Sequence, residues 1–229
     1  MAGSVAVYLE EGAKRTFAAA LDWPGWCRQG PGETDALAAL LAYSPRYASI
    51  LAGTGLGFAA PKDLSQLVVV ERLPGTASTD FGALSVAPTV DHERSCDAAT
   101  ILRFEKILSA GWQAFDRVVE SAREKTLTTG PRGGGRPLEA IVRHVIEADA
   151  SYLGAVGWKA PKTNGPGERL TGSRAAILAA LKASATGEIP SKGPRGGARW
   201  TARYFVRRVA WHVVAHAWEI ERRGGLGLE

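Results

Sequence analysis

Apolar and polar residues follow two different rhythms along this chain. Before residue 75 the apolar stretches are short and rich in β-branched or small residues; from Asp97 onward they recur every three or four residues over long spans. "SVAVYLEE" and "KRTFAAAL" have strand composition and meet at "EGA", which predicts a hairpin. After "DWPGWCRQGPGE", the run "TDALAALLAYSPRYASILAG" predicts a helix carrying Leu37, Leu40 and Leu41, capped by Thr34 or Asp35 and interrupted or kinked at Pro45. "LSQLVVVERL" (64–73) adds a strand through β-branched Val68, Val69 and Val70. Residues 1–75 are thus expected to form a small β-β-α-β unit. The stretch 76–96, dense in Gly, Pro, Ser and Thr, is expected to be an irregular connector.

Residues 97–229 carry the helical pattern. Asp97 is a candidate cap for a helix that lines up Ile101, Phe104, Leu108, Gly111, Phe115 and Val118. A second helix starts at Pro137 and aligns Leu138, Ile141, Val145, Ala148 and Tyr152, with Gly154 and Gly157 at its end. A third begins at Ser173 and stops before Gly187. The fourth spans about residues 199–222 and ends at Gly224 and Gly225. Four helices in this length predict a four-helix bundle, and the whole chain an α+β protein.

Composition narrows the setting. With 229 residues, 45% of them hydrophobic, the chain can bury one large core or two modest ones. No apolar run approaches the roughly 20 residues of a membrane span, and "MAGSVAVYLEEG" lacks the layout of a signal peptide, so a cytoplasmic protein with no membrane partner is expected. Cys27 and Cys96 are too few and wrongly spaced for a disulfide framework or a cysteine metal site, and are expected as reduced thiols. Residues 1–95 hold 7 Lys+Arg against 10 Asp+Glu, whereas 96–229 hold 21 against 13. The basic half permits phosphate, carboxylate or nucleic-acid partners without choosing among them.

The candidate chemistry lies in the histidines. His212 and His216 stand four residues apart in "VAWHVVAHAWEIERR", one helical turn from each other and able to grip one ion. The spacing alone is a weak signal. Phe205, Val209, Val213 and Ile220 share the pair's face, so both rings should point inward, where unpartnered polar groups cost about 1–3 kcal/mol. His144 offers a third nitrogen from the second helix, and three histidines with an open position are the pattern of a catalytic divalent site. The alternative is a set of core histidines bonded to groups such as Glu147, Asp149 or Ser151.

Two similar loops, "GPRGGGR" (130–136) and "GPRGGAR" (193–199), enter the histidine-bearing helices. They are either plain flexible loops or an anion site near one end of the bundle, built from backbone amides with Arg132, Arg136, Arg195 and Arg199. Arg208, one turn before His212, is the best single candidate for an anion-binding side chain, and Tyr204 lies another turn back. Glu219, three residues after His216, is a candidate acid/base group or an orienter of that ring. Trp211, Val214 and Trp218 form a second apolar stripe, expected to be covered by the N-terminal unit or by a partner subunit.

"RHVIEADASYL" followed by "RYFVRRVAWHVVAHAWEIERR" resembles the DinB-like metalloprotein superfamily over about residues 97–223. The resemblance implies a four-helix bundle in which His144, His212 and His216 bind zinc, nickel or another divalent ion. It also implies a small-molecule substrate and, as in several relatives, a transferase or isomerase that uses a low-molecular-weight thiol such as mycothiol or bacillithiol. "RTFAAALDWPGWCRQGPGETDALAALL" is similar to the HicB-like antitoxin fold, whose members partner toxins and often bind DNA. The acidic charge of 1–95 argues against that unit gripping DNA. A non-catalytic metal-binding or ligand-binding regulator, or a toxin-antitoxin-like partner or nucleic-acid-binding module, is the competing expectation, and any of these could be a monomer or a homodimer.

Overall fold

The computed structural model describes residues 3–129, 135–162 and 165–226. The chain divides into two compact units, Met1–Ser95 and Cys96–Glu229, and among the described residues it is a mixed α+β protein with four strands and eight α-helices.

In the first unit, β1 (Val5–Glu11) and β2 (Thr16–Ala20) form the expected antiparallel hairpin, closed by the Gly12 amide donating to the Arg15 carbonyl. A third strand, β3 (Cys27–Gly30), pairs antiparallel with β2, and β4 (Leu67–Pro74) lies parallel to β1, giving the order β3-β2-β1-β4. The single bent helix expected before β4 is two helices, α1 (Glu33–Ala42) and α2 (Ser44–Leu51). Pro45 sits in the first turn of α2, where its missing N–H is harmless. Gly32 precedes α1 with no side-chain cap, and Asp35 lies inside the first turn rather than capping it.

Trp26 belongs to this unit's own core. It is fully buried, donates its indole N–H to the Leu40 carbonyl at 3.0 Å and stacks on Tyr47, with Phe58 edge-on to both rings. The stretch 76–96 is more than a connector, because it carries α3 (Ala77–Phe81) and α4 (Thr89–Glu93). The fully buried carboxylate of Glu10 on β1 accepts from Thr79 Oγ1, Ser85 N and Oγ, and Val86 N; Glu71 on β4 accepts from Thr89 N and Oγ1. A buried carboxylate needs such donors, and supplying them pins the segment to the sheet.

The second unit holds four long helices: α5 (Ala98–Ser121), α6 (Leu138–Val156), α7 (Pro166–Ala185) and α8 (Ala202–Arg223). Asp97 caps α5 by accepting from the Thr100 amide at 2.8 Å, as its position predicts. Gly157, at φ 94°, ends α6 in the left-handed conformation that other residues avoid. The third helix starts seven residues before the expected Ser173; Gly167, Gly172 and the polar "ERLT" between them mask its beginning. α8 packs on α5, α6 and α7. A side chain at Gly111 of α5 would press on Val213 and Val214, so glycine sets the α5–α8 approach. Part of the second apolar stripe of α8 is therefore covered from inside this unit, by α5.

α6 and α8 run antiparallel. The Trp200 amide, just before α8, donates to the Ala155 carbonyl near the end of α6; at the opposite end, Gly135 before α6 lies against Arg223. Among the described residues no helix is long and apolar enough to cross a membrane.

Candidate metal centre

The antiparallel pairing brings His144, in the first half of α6, level with His212 at the middle of α8 and His216 one turn further on. Nε2 of His212 lies 3.2 Å from Nε2 of His144 and 3.2 Å from Nε2 of His216, and the three rings meet edge to face. Nitrogens bound 2.0–2.1 Å from one tetrahedral ion lie about 3.3 Å apart. Two of the separations thus match ligands of a common ion, all three nitrogens lie within 4.8 Å of one another, and the group can hold a metal ion.

Protonation agrees with that spacing. Burial, with the neighbouring His216 and then His144 adding to it, holds the His212 imidazole well below the usual histidine range; burial, then His216 and Arg136, lowers His144 as well. Neutral imidazole is the form that ligates. His216 Nδ1 is 2.8 Å from Glu219 Oε2. The ionised carboxylate can only accept, so Nδ1 carries the proton and Nε2 keeps its lone pair for the centre. The hydrogen bond from His216 lowers the Glu219 carboxyl to about 2, with Arg223 assisting. Arg223 Nη1 donates to Glu219 Oε1 at 2.8 Å and Nε to the Thr128 carbonyl at 2.9 Å. With both oxygens engaged, Glu219 is a positioning residue for His216 rather than a free acid/base group.

Arg208 is nine-tenths buried and lies among the rings of Tyr152, Trp200 and Trp211, 5.1, 5.5 and 5.2 Å from their centroids. Its Nη2 donates to the Tyr152 hydroxyl at 3.2 Å. The tyrosine ring set against His212 is Tyr152, at 5.7 Å between centroids; buried Tyr204 packs edge-on against Trp200.

Of the two Gly-Arg loops, residues 130–134 lie outside the described residues, and the described ends do not meet. They flank opposite ends of α6, whose 19 residues span about 28 Å. Arg136, exposed before α6, is close enough for its charge to act on His144 and His212. Arg199 donates Nη1 to the Pro190 carbonyl at 3.1 Å and lies against Gly157 at the other end; Arg195 is exposed on that same far loop. Arg132 lies outside the described residues. Among the described residues, Arg136 does not converge with Arg195 and Arg199 on one anion, because they lie at opposite ends of α6.

Tyr152 and Arg223 were missed as site residues. Tyr152 stands two turns after His144 on one face, and Arg223 one turn after Glu219, so helical spacing contained both signals. Comparison of the chain with family models, with curated proteins and with solved structures gave no match.

Proposed function

We propose that the chain is a metal-dependent enzyme whose second unit is DinB-like, with His144, His212 and His216 holding a divalent ion, zinc or nickel. The observation that carries the reading is the convergence of three Nε2 atoms from two helices at ligand spacing. Two further features support it: Glu219 sets the His216 tautomer, and burial keeps His144 and His212 neutral. A divalent ion held by three neutral imidazoles acts as a Lewis acid and stabilises hydroxide or thiolate at neutral pH. That chemistry suits transfer or isomerisation assisted by a low-molecular-weight thiol, with a small-molecule substrate. The residues' own part is to hold the rings, exclude water through Tyr152, Trp200 and Trp211, and present positive charge at Arg208. In the same reading the first unit is HicB-like.

Metal analysis of untagged protein is the test. Wild type is expected to hold about one equivalent of zinc or nickel, and His144→Ala and His212→Ala about a tenth or less. Wild type that stays near zero after both metals are supplied overturns the proposal. Turnover with a thiol present separates an enzyme from a protein that only senses metal.

A further inference from the structure

Two buried nitrogens beside the histidine centre, Arg208 Nε and His212 Nδ1, have no hydrogen-bond partner among the described residues. Arg208 makes its one hydrogen bond to Tyr152; its Nε is buried and donates to nothing among the described residues, and no carboxylate pairs with the guanidinium there. Buried charges are normally paired, because an isolated one is costly. His212 Nδ1, one turn further along α8, is also buried without a partner. Its ring shares two neighbours with Arg208, the rings of Tyr152 and Trp211. When His212 Nε2 ligates an ion, its proton sits on Nδ1, and both nitrogens are then donors.

We infer that Arg208 and His212 Nδ1 form a carboxylate-binding subsite, so that the substrate is a carboxylic acid held beside the three-histidine centre. The inference rests on reading that centre as the reactive one. One guanidinium with no carboxylate beside it calls for an anion. The planar guanidinium matches a carboxylate, and the aromatic walls exclude water and strengthen the pairing. Tyr152, Trp200 and Trp211 also favour a flat apolar body on the acid.

Benzoate, its neutral analogue benzamide, and inorganic phosphate are the probes. Binding to the full chain is read by tryptophan fluorescence, because Trp200 and Trp211 flank Arg208, with and without cobalt(II). Benzoate is expected to bind at least about tenfold more tightly than benzamide, and Arg208→Gln to lose at least about tenfold in benzoate affinity with its cobalt content unchanged. Equal binding of benzoate and benzamide, tighter binding of phosphate, or a folded Arg208→Gln that binds benzoate like wild type overturns the subsite. Should Arg208→Gln not fold, the benzoate-to-benzamide ratio in wild type decides alone. Cobalt uptake without benzoate preference removes the subsite and keeps the metal reading; benzoate preference in a chain that takes up no cobalt does the reverse.

Discussion

His216 Nδ1 and Glu219 Oε2 are 2.8 Å apart, and the second oxygen of Glu219 is held by Arg223 at the same distance. This pair decides which nitrogen of His216 faces His144 and His212. Glu219→Ala is expected to weaken zinc binding by about 10- to 100-fold, while Glu219→Gln, which keeps an oxygen for Nδ1–H, loses less. Competition with a chromophoric chelator measures both, and unchanged affinity in a folded Glu219→Ala protein would refute the positioning role.

Asp149 on α6 is buried, and desolvation raises its carboxyl to about 7 against the opposing pull of Arg174, which is itself paired with Asp116. Between its unfolded value of 3.8 and about 7, the folded state keeps a proton that the unfolded chain has lost. Stability from this group is therefore full at acid pH and is lost progressively as pH rises from 3.8 to about 7, by about 4 kcal/mol in all. Asp149→Asn, which cannot ionise, is expected to remove that loss. Urea unfolding of both proteins between about pH 4 and about pH 7 checks the sign: the variant should gain on wild type as pH rises through that range, and a constant difference would contradict the assignment.

Gly157 closes α6 at φ 94° with the Arg199 side chain against it. Gly157→Ala is expected to lower unfolding free energy by about 1–3 kcal/mol, from the left-handed backbone and the displaced arginine together. Denaturant midpoints read the effect, and an unchanged midpoint would contradict it.

Where periodicity was long and apolar, it located the elements. The 3–4 spacing of Phe104, Leu108 and Phe115 and that of Ile141, Val145 and Tyr152 mark faces that are buried in α5 and α6, and the Asp97 cap lies where its residue type suggests. Local signals failed where the deciding contact is distant in sequence. β3 is four residues long among Gly and Pro and exists through pairing with β2. The order in 76–95 depends on Glu10 and Glu71, which lie 18 to 76 residues away from their partners there. The three histidines were legible because one pair shares a turn and the third sits on a strongly patterned helix. The separate fates of Arg136 and Arg199 were not, because loop composition carries no information about helix direction.

His144 and His212 are 68 residues apart along the chain, yet their Nε2 atoms are 3.2 Å apart. An ion shared by them is a removable cross-link: it fastens α6 to α8 and closes a long loop that the unfolded polypeptide would otherwise leave open. With an ion bound, the grip of these two helices on one another would follow metal supply, and the centre would work as a clasp.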